Sequence, residues 1–171
     1  MNPDALSAEP SLDSIAAQVA GRPGPRVLVL DSLEPLTVCA EAAPLVVACG
    51  AVGWTGGSLL DDEAVCSWDP ELVVLLAADD EMDDAEDDLR DRAQWLGTAA
   101  ARGGDCYCAV RPTFLTLPRV LATILHPDLF TAMLPAHSVR IAIPRERSPE
   151  PEDSDGDGSD SGEPSDSVSN H

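Results

Sequence analysis

Ten residues, Asp79 to Asp88, carry eight carboxylates, and only Ala77 and Ala78 separate them from the apolar run Leu72-Val73-Val74-Leu75-Leu76. Like charges repel and must stay solvated, so the block has no place in a core, while the run before it has no place outside one. The chain therefore has to pass from a buried strand to open solvent at this point. A folding domain gains little from such a block, and the reading we take forward is an electrostatic docking surface for a basic partner. It would comprise Asp79, Asp80, Glu81, Asp83, Asp84, Glu86, Asp87 and Asp88. Such a surface acts mainly on association rate and is salt-sensitive, because screening at physiological ionic strength limits its reach to ~8 Å. A solvated helix start and a divalent-cation cluster are the other readings of the same residues.

The rest of the composition points the same way. Acids number 31 against 10 bases, all of them Arg, for a net charge of −21. That surface repels phosphate backbones and anionic lipid, which argues against direct nucleic-acid or membrane binding and for proteins with basic surfaces. No run reaches the about eighteen apolar residues of a membrane span, and the opening residues have no basic or apolar signal region. The expectation is a soluble, intracellular protein. Cys39, Cys49, Cys66, Cys106 and Cys108 make an odd number, mostly inside apolar runs, and read as buried free thiols of a reducing compartment. In a strand, the alternate spacing of Cys106 and Cys108 puts both sulfurs on one face. With only His126, His137 and His171, neither a metal site nor a cofactor is expected.

Along the chain, residues 1–24 form a polar segment with an amphipathic helix around Leu12 to Val19. Residues 25–147 form the globular domain, and 148–171 a disordered acidic tail of Ser, Asp, Glu and Pro. Within the domain, strands are expected at Arg26 to Asp31, Glu71 to Ala78, Cys106 to Val110 and Ser138 to Ile143, the last with Val139, Ile141 and Ile143 on one face. Leu36 to Val52 is divided at Pro44, with a strand or helix from Leu45 to Cys49. Gly50 to Asp62 reads as a loop. One helix runs from Asp83 to Ala101, with Leu89, Ala93, Leu96 and Ala100 as its apolar stripe. Others run from Thr116 to Leu125, with Pro118 in the first turn, and from Asp128 to Leu134. Alternating strands and helices specify an α/β layer fold.

Catalytic signals are absent. Gly53-Trp54-Thr55-Gly56-Gly57 is too short for a phosphate loop, which also wants a Lys this chain lacks. His126 and His137 read as packed or surface residues, and no Ser, His and Asp arrangement has a local signature. Asp153-Ser154-Asp155-Gly156-Asp157-Gly158 resembles the start of a calcium loop, but its twelfth position is Pro164 where that loop needs Glu. Ser148 and Ser154 are candidate phosphorylation sites. An enzyme is not expected.

Trp68-Asp69-Pro70-Glu71 leading into Leu72-Val73-Val74-Leu75-Leu76 and the acids through Asp84 resembles the central motif of the growth arrest and DNA damage-inducible stress proteins. Leu36-Thr37-Val38 resembles the strand before that motif, and Val139 to Arg147 its closing strand. The resemblance implies a three-layer α/β/α single domain akin to ribosomal RNA-binding proteins, with acids in place of the basic surface. It further implies a self-associating, non-enzymatic regulator of stress response and cell cycle, in nucleus and cytoplasm. Such proteins bind kinase complexes, and residues 79–84 would be part of the partner-binding loop. The alternative is a viral or accessory interaction protein whose acidic disordered tail is the main binding element.

Overall fold

Leu72 to Ala77 is apolar at every position and buried at every position, the pattern of a strand covered on both faces. It lies at the centre of the computed structural model, which describes residues 11–112, 116–130 and 139–145. The elements are α1 (Leu12–Val19), β1 (Arg26–Leu33), β2 (Leu36–Val38), α2 (Ala42–Ala48), β3 (Val52–Gly53), α3 (Asp62–Trp68), β4 (Leu72–Ala77), α4 (Met82–Arg90), α5 (Ala99–Gly103), β5 (Cys106–Val110), α6 (Leu117–Leu125), α7 (Pro127–Phe130) and β6 (Val139–Ile141). Two 3₁₀ turns, Asp79–Glu81 and Ala93–Gly97, flank α4.

The strands form one sheet in the order β2-β1-β4-β5-β6, with β3 beside β1. β1, β3, β4 and β5 are parallel, while β2 and β6 join antiparallel. β2 and β3 share one side of β1: Leu33 faces Leu36 near its C-terminal end, and Arg26 faces Val52 at its start. Because side chains alternate along a strand, each central strand feeds two cores. Val27, Val29, Val74 and Leu76 pack with Ile15, Leu45 and Leu121 from α1, α2 and α6. Leu28, Leu30, Val73 and Leu75 pack with Val65, Leu89, Trp95 and Ala100 from the opposite layer. The fold is the expected three-layer α/β/α arrangement, with helices on both faces of one sheet.

Several elements differ from expectation for identifiable reasons. Pro44 does not divide its segment; it occupies the first turn of α2, where backbone N–H groups have no intrahelical partner to lose. The expected loop from Gly50 to Asp62 contains the short β3 and ends where α3 begins, with N-cap Asp61 accepting from the Ala64 N–H at 2.7 Å. The helix expected over 83–101 is instead α4, a 3₁₀ turn and α5, because Thr98 caps a new helix and Trp95 is the residue that the turn buries. In β6 the expected apolar face is covered at one end only: Val139 packs against the core, Ile141 is 56% exposed, and Ala142, just past the strand, is fully buried. The third helix is described over Pro127–Phe130, and the rest of its expected span lies outside the described residues.

Asp69 closes α3 in left-handed backbone, at φ 52°. Its carboxylate accepts from the Ala99 N–H at 2.7 Å and pairs with Arg26 at 3.2 Å. Asp and Asn tolerate this conformation better than other side chains. Asp69→Ala is therefore expected to cost about 2 kcal/mol, from backbone strain together with the lost acceptor. Asp69→Asn should cost less than half of that in urea unfolding, and equal losses would show that the conformation is not what Asp69 supplies.

Candidate functional site

The chain leaves β1 toward β3 on one side, with α2 against one face of the sheet, and leaves β4 toward β5 on the other side, with α4 against the opposite face. Diverging connections open a gap at the C-terminal ends of the two neighbouring strands, where open α/β sheets bind their ligands. Here that gap is a crevice of about 300 Å³. β1 and its following turn supply Asp31, Ser32 and Glu34, and Arg111 comes from just past β5. Glu81, Asp84 and Asp88 come from the start and one face of α4, at the i, i+3, i+7 spacing of a single helical stripe.

The crevice is strongly negative. Five carboxylates (Asp31, Glu34, Glu81, Asp84 and Asp88) and one guanidinium, that of Arg111, line it. The Arg111 guanidinium donates to the Asp31 carboxylate at 2.6 Å, to the Asp31 carbonyl at 3.0 Å and to the Leu76 carbonyl at 3.3 Å. A second crevice of about 350 Å³, lined by Asp91, Arg92 and Gln94, shares Glu34 and Asp88 with the first. Arg92 fixes the wall between them: it donates to the Leu33 carbonyl at 2.8 Å and pairs with Glu34 at 3.4 Å and Asp62 at 3.5 Å.

The acidic block is not one surface. Met82 and Leu89 turn inward and are buried, which sends the acids of α4 to two different sides. Asp83 and Glu86 pair with Arg140 of β6, and Glu86 and Asp87 with Arg90. Glu81, Asp84 and Asp88 instead line the crevice, while Asp79 and Asp80 are exposed in the 3₁₀ turn. Reasoning from sequence placed all eight residues together and missed Asp31, Glu34 and Arg111. The available signal was positional, since Asp31 and Arg111 are charged residues directly following the two apolar runs that flank β4 in the sheet.

Reactive groups are otherwise few. His126 is buried, and its Nε2–H donates to the Cys49 carbonyl at 2.9 Å, so it is a packed residue as the sequence suggested. All five cysteines are free, with Cys66 exposed and the other four buried. Burial pushes the thiol of Cys49 up to about 11 and those of Cys106 and Cys108 up to about 12, so all three stay protonated at neutral pH. Among the described residues no group of three His, Cys, Asp or Glu is placed to hold a metal ion, and no helix is long and apolar enough to cross a membrane. His137, His171, Ser148, Ser154 and the calcium-loop-like segment lie outside the described residues.

No protein-family model matches the sequence, and no curated protein matches it significantly. Solved structures do match its fold. A periplasmic binding protein from Veillonella parvula is 18% identical with a TM-score of 0.60, over 72% of this chain and 44% of that one. A periplasmic heme binding protein from Pseudomonas aeruginosa is 20% identical with a TM-score of 0.54, over 80% of this chain and 55% of that one. The periplasmic vitamin B12 binding protein of Vibrio cholerae is 17% identical with a TM-score of 0.52, over 69% of this chain and 50% of that one. The chain spans about half the length of these structures.

These neighbours are named as periplasmic binding proteins, neither as enzymes nor as regulators. They overturn the expectation of an intracellular regulator of stress response and cell cycle, and with it the expected partners, proteins with basic surfaces and kinase complexes. The placing in nucleus and cytoplasm falls for the same reason, as does the alternative of an interaction protein that works through its tail. The physical cause of the error is plain in α4. Local charge density suggests one docking surface, whereas part of the acids pairs with Arg90 and Arg140 and part lines a concave crevice.

Proposed function

We propose that this chain is a non-catalytic solute-binding lobe that takes a small cationic solute in the crevice between β1 and β4. The observation that carries the reading is the excess of carboxylates in a concave site at the strand ends. A crevice of about 300 Å³ lies at the lower end of ligand-pocket sizes, which suits a small solute. Its charge excludes small anions. Attraction between unit charges 4 Å apart is about 4 kcal/mol at the effective dielectric of a protein surface, and salt reduces it. The fold likeness supports solute binding in general, since the three neighbours are all named as binding proteins. The non-catalytic part of the reading is supported by the same neighbours, each of them named for binding. The likeness of residues 68–84 to the growth arrest and DNA damage-inducible proteins we take as local. A turn at Asp69-Pro70, a buried strand and an acidic helix start make one β–α unit that α/β folds of many functions contain.

Calorimetric titration with spermidine and choline, set against citrate, tests the reading. Spermidine is expected to bind and citrate not, with affinity falling as salt rises from about 50 to about 200 mM. The triple substitution Glu81→Gln, Asp84→Asn, Asp88→Asn is expected to weaken spermidine at least about tenfold, the equivalent of ~1.4 kcal/mol. Binding of citrate in preference to both cations would end the proposal.

A further inference from the structure

Among the described residues lining the crevice Arg111 is the sole cation, and its place is built in. Its backbone N–H donates to the Ala77 carbonyl at 2.6 Å, which sets the residue at the ends of β4 and β5. From there the side chain reaches back across β4 to β1 and ends on the carboxylate and carbonyl of Asp31. The pair is not locked in the core: the Arg111 side chain is 49% exposed and that of Asp31 33%. An ion pair this open is weak in itself and can be broken by a competing charge.

We propose that Arg111 is the specificity-determining residue of the crevice, an internal counter-ion that keeps Asp31 occupied. A ligand cation is then held by Glu81, Asp84 and Asp88, and it gains the Asp31 carboxylate only by displacing Arg111. A solute with a single positive charge meets a partly satisfied site, whereas one with several charges along its length can compete for Asp31 as well. The preferred class is therefore a linear polyamine. This inference rests on the solute-binding reading above.

Spermidine titration of Arg111→Gln, Asp31→Asn and the double variant separates this role from a plain structural tie between β1 and β4. Arg111→Gln frees Asp31 and raises the crevice's negative charge by one, so spermidine is expected to bind about tenfold more tightly at low salt, with a steeper salt dependence. Asp31→Asn releases Arg111 toward the ligand and is expected to weaken binding by a similar factor. The double variant should fall between the two. Unchanged or weaker binding by Arg111→Gln, with wild-type binding intact, overturns the inference while leaving the solute reading in place. Failure of the wild-type protein to bind spermidine at all overturns both. If circular dichroism shows that Arg111→Gln does not fold, the direction of the Asp31→Asn change decides: stronger binding there also overturns the proposal.

Discussion

Replacing Trp95 by alanine is expected to lower the free energy of unfolding by about 3–5 kcal/mol. The indole is 1% exposed and fills the core between the sheet and the helices α3, α4 and α5. Its Nε1–H donates to Asp62 at 2.7 Å, and Asp62 also accepts from Gln94 at 2.9 Å. Truncation would leave a cavity and remove one donor from this cluster. Domains are held by about 5–15 kcal/mol in all, so the loss is a large share of the total. Trp95→Phe keeps most of the volume and loses the donor, which should cost about 1–2 kcal/mol. The loss should extend to the site, because the 3₁₀ turn carrying Trp95 follows Arg92, which holds Leu33 and Glu34 in place. Urea unfolding followed by far-UV circular dichroism gives both values. A cost for Trp95→Ala below about 1 kcal/mol would mean that the turn repacks and is not anchored by the indole.

That residue also shows why the sequence was only partly legible. The central strands were readable because two-sided burial demands unbroken apolar runs, and Leu72 to Leu76 is one. The stretch after them was not. Leu89, Ala93, Leu96 and Ala100 recur at helical spacing, and two of them, Leu89 and Ala100, are fully buried. Between these two the chain leaves the helix, and the side chain that reaches the core is Trp95, which breaks the period. Segments of five to nine residues hold too few turns for periodicity to outweigh one large aromatic and one capping threonine. The site was half visible for a related reason. Local charge density marks the acids of α4, but Asp31 and Arg111 stand 80 residues apart, and only the parallel pairing of β1 with β4 and of β4 with β5 brings them together. Nor does charge density reveal that Met82 and Leu89 face inward and so divide the acids between two sides.

A second large loss is expected from the smallest substitution, Gly24→Ala, at about 3 kcal/mol. Gly24 lies in the link between α1 and β1, where the backbone passes the turn joining α2 to β3. A Cβ at Gly24 would stand 1.7 Å from the Gly50 carbonyl oxygen and 2.6 Å from the Ala51 Cα. Both are backbone atoms, and neither is free to withdraw. The Gly50 N–H donates to Val47 at 2.9 Å, the Ala51 N–H to Val46 at 3.1 Å, and the Val52 N–H to Pro25 at 2.9 Å. Gly50 itself has φ +79° and already lies close to the Val19 side chain. Relief would therefore require moving the α1–β1 link as a unit, with cost to the burial of Ile15 and Val19. Gly97→Ala is the matched control: a Cβ there meets nothing within 4 Å, so the change should be neutral or stabilise by up to about 1 kcal/mol. Parallel urea titrations of the two variants separate steric exclusion from the general effect of removing a glycine. Equal stabilities would show that the link at Gly24 gives way, and that the close approach to Gly50 is not a fixed part of the fold.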